Sequence, residues 1–187
     1  MTIIELMVAV AIIALLAVLA VPSFSEWIAN SKVRSTAEEV ANGLRMAQSE
    51  ALRKSLPVAF VITASTPAAN ATPATTGGNW YVQELPLTGS GSTTSTMLQS
   101  SNYGSRNSVS VTASAAVVCF GSMGNQITVA SASTLWSGAA SCSPNSQTYN
   151  VTLSNATRSL RVALTAGGQI RLCDPSKTLG TTNPDGC

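Results

Sequence analysis

The hydrophobic pattern divides this 187-residue chain into three stretches. From Leu6 to Val21 every side chain is Leu, Met, Val, Ala or Ile, and Ile3 and Ile4 bring the run to the roughly 20 residues that span a bilayer as a helix. Glu5 is the one charge within it, and no basic residue comes before Lys32. After Pro22 the pattern turns amphipathic. Val33, Ala37, Val40, Leu44, Ala47 and Ala51 recur at three- and four-residue steps and share a helical face, whereas Glu38, Glu39, Arg45, Gln48, Arg53 and Lys54 fall mostly elsewhere. The two stretches read as a single helix from about residue 2 to 54, bent at Pro22 and stopped by Pro57. At 1.5 Å per residue it would be about 80 Å long.

The third stretch has a period of two. Residues 58–63 (VAFVIT) and 79–87 (NWYVQELPL) read as strands. From residue 108 onward SVSVTAS, AVVCFGS, NQITVAS, TYNVTLS, SLRVALT and GQIRLCD each alternate or carry a short β-branched core, with turns expected at Asn125 and at Gly167 and Gly168. The small-residue tracts 63–78 and 87–96 lack periodicity and read as surface loops. One long helix followed by many short strands implies an α+β protein, in which the amphipathic half of the helix packs on an antiparallel β-sheet head.

Glu5 gives the apolar run its meaning. A carboxylate on an otherwise apolar helix costs roughly 2.5–3.5 kcal/mol to insert into a membrane, so a partner and a purpose are expected for it. A secretory signal peptide carries positive charge before its apolar core and a small-residue cleavage site after it. Here an acid stands where those basic residues would be. Thr2, Ile3, Ile4, Glu5, Leu6 and Met7 resemble the start of a mature type IV pilin, from which a prepilin peptidase has removed a short basic leader. Pilins usually begin with Phe where this chain has Met1, and they carry a proline at the place of Pro22. The resemblance implies that Met1, Glu5 and Pro22 serve assembly. Glu5 would pair with the terminal amine of a neighbouring subunit, which satisfies both charges in a filament core of low dielectric.

A second resemblance lies further along. Residues 47–54 (AQSEALRK), 118–124 (VCFGSMG), 160–164 (LRVAL) and 168–175 (GQIRLCDP) are similar to the GspH/FimT group, which contains minor pilins of the FimU and FimT types and the minor pseudopilin of type II secretion. The FimU type is the most similar. With the N-terminal motif, the matched parts cover nearly the whole chain apart from the Ser/Thr/Pro-rich tracts.

Chemistry-bearing residues are few. The chain has four cysteines, Cys119, Cys142, Cys173 and Cys187, with no CxxC spacing and no histidine to complete a zinc site. In an exported head an even number argues for two disulfides. Three pairings exist; Cys119 with Cys142 and Cys173 with Cys187 is favoured, since the second would tie down the loop 174–186. Without histidine neither a Ser-His-Asp nor a Cys-His arrangement can be built. Glu84, Asp174 and Asp185 are too scattered in sequence to suggest a paired-carboxylate site, and P-loop and GxGxxG motifs are missing, so neither catalysis nor a cofactor is expected.

The net charge is +2, and beyond residue 87 Arg106, Arg158, Arg161, Arg171 and Lys177 face only Asp174 and Asp185. A handful of basic groups supports weak, salt-sensitive DNA binding at most. DNA-uptake pilins of the FimT type carry a GRxR motif; the matching residues here are Gly168, Gln169, Ile170 and Arg171, so only Arg171 carries over as a DNA contact.

Together these readings imply a structural minor pilin that primes pilus assembly or sits at the tip. Residues 1–25 would form its transmembrane and filament-core half, and residues 26–187 its soluble head. Its partners would be other pilins, the inner membrane before assembly and the prepilin peptidase, with DNA not favoured. The head would lie in the periplasm and then on the extracellular pilus. A DNA-binding pilin and a type II secretion minor pseudopilin are the alternatives.

Overall fold

A computed structural model describes residues 2–86, 95–129, 135–136 and 141–187, and within the long helix the side chains of residues 18–22 lie outside the description. That helix, α1, spans Ile3–Lys54 without interruption. It stops where Ser55 takes a left-handed conformation two residues before Pro57, with Arg53 and Lys54 in its last turn complementing the negative end of the helix dipole. Lys54 is also paired with Glu84 of the head.

All six positions of the expected helical face are buried, each at 1% exposure or less, together with Ala29, Thr36 and Ala41. They pack on two antiparallel sheets where the alternation alone suggested one. The first has the strand order β4-β3-β1-β6, with β1 at Val58–Thr63, β3 at Asn79–Glu84, β4 at Met97–Ser101 and β6 at Val117–Phe120. The second has the order β2-β5-β7-β8-β9, with β2 at Thr76–Gly77, β5 at Ser110–Ala113, β7 at Gln147–Thr152, β8 at Leu160–Leu164 and β9 at Ile170–Cys173. A four-residue helix, α2, spans Tyr103–Arg106. The core joins both sheets beneath α1: Phe60 of β1 lies 5.5 Å from the Trp80 ring and meets Tyr149 of β7 edge-on at 5.8 Å. At Gly43 the helix comes so close to the first sheet that a Cβ would sit 2.8 Å from Phe60 and 3.0 Å from Trp80.

Apart from its edge strand β4, the first sheet is buried on both faces, which explains the nearly continuous apolar run of β1. Val58, Phe60 and Ile62 face the α1 side, and Ala59 and Val61 join Tyr81, Val117, Cys119, Trp136 and Cys142 in a separate cluster behind it. That rear cover is built from loops. The tract 63–78 lacks the apolar area to order itself, but buried polar side chains of the sheet order it. Tyr81 Oη donates to Ala71 O at 2.6 Å, Thr63 Oγ1 donates to Thr72 O at 2.9 Å, and Gln83 exchanges hydrogen bonds with the backbone and side chain of Asn70. Trp136 Nε1 donates to the same Tyr81 hydroxyl at 2.9 Å, and burial pushes that phenol up to about 12.

Two local expectations differ from the structure. The described part of NQITVAS forms only a bridge, Gln126 with Phe120, because the Gln126 amide is drawn across to Asn145 O and Thr165 O, both at 2.8 Å. β4 was not visible in its sequence MLQSS, which has no β-branched alternation; as an edge strand on β3 it borrows its conformation from its neighbour. Most of the tract 87–96 lies outside the described residues.

Candidate assembly surface

The N-terminal half of α1 extends away from the head. Every side chain from Ile3 to Ala17 is exposed, Ile3 at 82%, Met7 at 66% and Leu15 at 66%. The first buried position on the helix, among the described residues, is Ala29. Among those residues no helix is long and apolar enough to cross a membrane; the side chains of 18–22, which would complete the apolar run and include Pro22, lie outside the description, as does Met1.

Glu5 has a local role that the sequence reading missed. Thr2 is the N-cap of α1: its Oγ1 accepts from the Glu5 amide at 3.3 Å, and the Glu5 carboxylate accepts from the Thr2 amide at 3.4 Å. This is a capping box, and its signature, T-x-x-E at residues 2–5, stands in the sequence. One carboxylate thus satisfies an orphan amide of its own helix while lying exposed at the very end of the apolar rod.

Below the head, α1 is clasped by the turn between β7 and β8. Thr157 Oγ1 donates to Glu26 at 2.8 Å, Asn30 Nδ2 donates to Thr157 at 3.1 Å, and Asn30 Oδ1 accepts from the Arg158 amide at 3.1 Å. An open groove runs beside this clasp, lined by Trp27, Arg34, Arg158, Leu160, Leu172 and Asp174, among others.

Arg158 links the groove to the C-terminal loop. Its guanidinium lies 3.0 Å from Asp174 and 3.8 Å from Asp185, and Lys177 approaches Asp185 at 2.6 Å. The Ser176 hydroxyl and amide, both donating to Asp174 Oδ1, together with Arg158, hold the Asp174 carboxyl down at about 2. Hydrogen bonding to Lys177 lowers Asp185 as well. Disulfides join Cys173 to Cys187 and Cys119 to Cys142, with Cα separations of 5.2 and 5.5 Å. The first closes the C-terminal loop; the second staples the rear loops to β6.

Arg171 belongs to the same loop. Its guanidinium donates to Pro184 O at 3.1 Å and Gly186 O at 2.7 Å. Arg161 is likewise engaged, donating to Asn150 at 2.6 Å. The basic side chains of β8 and β9 therefore already have protein acceptors, and the structure does not gather them into an open phosphate-binding row. Glu84, Asp174 and Asp185 are not brought together: Glu84 pairs with Lys54 at the other end of α1.

Known proteins give this architecture a context. No curated protein matches the sequence significantly. The fold is shared with the type IV minor pilin FimU of Pseudomonas aeruginosa strain PAO1. A crystal structure of FimU in space group P21 matches with a TM-score of 0.52 at 15% identity, covering 81% of this chain and 94% of that one. A second, in space group P65, gives 0.49 at 15% identity, covering 79% and 97%. The family model described as type II transport protein GspH matches residues 36–179, which is about the last five turns of α1 and nearly all of the head that follows it. By that match the chain belongs to the GspH family.

Proposed function

We propose that this protein is a structural minor pilin of a type IV pilus that self-assembles through the N-terminal half of α1. The observation that carries the reading is the division of that helix. Side chains buried on the head from Ala29 onward give way, towards the N-terminus, to an exposed apolar rod that ends on a single carboxylate. Full exposure of a Leu, Ile or Met side chain forgoes roughly 1.5–3 kcal/mol, so a rod made of them needs cover, first from lipid of the inner membrane and then from other pilins. Residues 1–25 would be that membrane and filament-core half, and Glu5 would exchange its helix-capping bond for the terminal amine of a neighbouring subunit during polymerisation. The FimU-like fold supports a minor pilin of a pilus, and the role we propose for it there is to prime assembly or to sit at the tip. The GspH family description equally supports a minor pseudopilin of type II secretion, the second reading.

Substitution of Glu5→Ala tests the core of the proposal. The variant should accumulate with a folded head but be missing from sheared surface filaments when these are analysed by mass spectrometry. Normal incorporation of the variant would overturn the role of Glu5. Wild-type protein absent from purified pili, but required for secretion of folded proteins, would select the pseudopilin reading.

A further inference from the structure

Between the apolar rod and the first buried residue of α1 lie two aromatic side chains that the head does not cover. Phe24 and Trp27 are 64% and 66% exposed, with ring centroids 5.9 Å apart, and Ile28 beside them is 40% exposed. The other two tryptophans, Trp80 and Trp136, are 6% and 3% exposed. The pair sits where the surroundings change character. Glu26 and Asn30 are hydrogen-bonded to the head, and Lys32 and Arg34 follow within two turns. Measured along the axis at 1.5 Å per residue, Phe24 is about 32 Å and Trp27 about 36 Å from Ile3. Those distances exceed the roughly 30 Å of bilayer hydrocarbon and fall short of the roughly 40–45 Å that includes both headgroup layers.

We propose that Phe24 and Trp27 anchor the chain at the lipid–water interface on the head side, fixing the depth of α1 in the bilayer before the subunit enters a filament. The Trp27 indole settles at the headgroup level, where its apolar body and its N–H edge are both satisfied, and the wholly apolar Phe24 ring packs beside it on the hydrocarbon side. The register that follows places Glu5 at the opposite boundary, within reach of headgroups, and not at the hydrocarbon centre. The groove beside Trp27 has the mixed character of that zone: Val33, Leu160 and Leu172 give it apolar walls, and Arg158 with its partners Asp174 and Asp185 gives it a charged rim. This inference rests on the membrane residence proposed above, and the test separates the two.

The full chain is reconstituted in vesicles of phosphatidylethanolamine and phosphatidylglycerol brominated either high on the acyl chain or near its end. The emission that Trp27→Phe removes is the Trp27 signal. Most of it should be lost with high bromines and little with deep ones, whereas a tryptophan introduced as Ile13→Trp in the Trp27→Phe background should show the reverse preference. Trp27 unquenched while the Ile13→Trp probe is quenched would overturn the anchor and leave membrane residence standing. Neither probe quenched would overturn both. Trp27 quenched best by deep bromines would refute the interfacial placement, as would shielding from aqueous iodide that arises only on adding a second pilin, which would make the groove a protein seat.

Discussion

At the scale of single residues, the head is held by amide side chains that cross between elements. Gln48, a polar side chain of α1 between the buried Ala47 and Ala51, donates from a single amide nitrogen to Gly124 O at 2.6 Å and to Gly168 O at 3.2 Å. Gly168 has φ +90, and a Cβ there would lie 2.3 Å from Gly124 O, so the bond geometry depends on its being glycine. Replacing Gln48 by Leu would leave two carbonyls without their donor. Its expected cost is about 1–3 kcal/mol, read as a lower midpoint in urea unfolding with an unchanged slope. Tyr149 presents the opposite case. It is 1% exposed, and its hydroxyl has no hydrogen-bond partner among the described residues. A buried hydroxyl without a partner is a liability, so Tyr149→Phe, which keeps the edge-on contact with Phe60, should be neutral or stabilising by about 1 kcal/mol in the same measurement. A clear loss of stability would mean that the hydroxyl is satisfied.

Elements bring a different kind of dependence, most visible in the C-terminal loop. Its backbone is tied by Asp174 N to Asp185 O and by Cys187 N to the carbonyls of Asp174 and Lys177, and Cys173–Cys187 closes it. Asp174 adds an acid-sensitive latch. Because its carboxyl is held at about 2, below the ordinary 3.8, its contribution is complete above about pH 4 and is lost as the pH falls towards 2. The protection of the Ser176 amide against exchange, taken relative to its intrinsic rate at each pH, should therefore fall over that window with the disulfide intact. Asp174→Asn should remove most of the step, since Asp185 is half exposed and its pair with Lys177 is screened by solvent. An unchanged acid response in the variant would place the latch elsewhere. How far elements were legible in the sequence follows the same physics. β1 and the buried face of α1 were readable because burial on both faces, or on one helical face, writes itself as periodicity. The division into two sheets was not, because strand alternation records which face is covered but not which strands pair. β4 and the ordering of residues 63–78 depend on partners distant in sequence, as does the fate of NQITVAS. At the candidate site, the isolated acid of Glu5 was conspicuous among apolar residues. The Thr2 cap was equally available but overlooked, and the clasp of Glu26 and Asn30 on Thr157 could not be read from residues more than 120 positions apart.

For the whole molecule, stability and assembly reside in different parts of one helix. Every described core residue lies at or beyond Ala29, whereas residues 3–17 bury no side chain against the head. The rod can therefore exchange one environment for another without the head having to unfold, which a subunit that moves from lipid into a filament requires. It follows that a protein beginning at Glu26, which keeps the bond to Thr157, should fold as a soluble head. What it loses is helix propagation and a cap, neither of which is coupled to the core. A change equivalent to about 1 kcal/mol shifts the midpoint of a domain of this size by roughly 2–4 °C, so calorimetry of the truncated head should give a single transition within about 5 °C of the full chain in detergent. Beginning instead at Arg34 removes Ala29, Val33 and the Asn30 clasp and uncovers Leu160 and Leu172 along the groove. Burial of one Val side chain alone is worth roughly 1.5–3 kcal/mol, so this shorter head should melt well below the first. Equal midpoints for the two truncations would show that the helix is held by its upper turns alone and that the clasp at the base of the head contributes nothing to the fold.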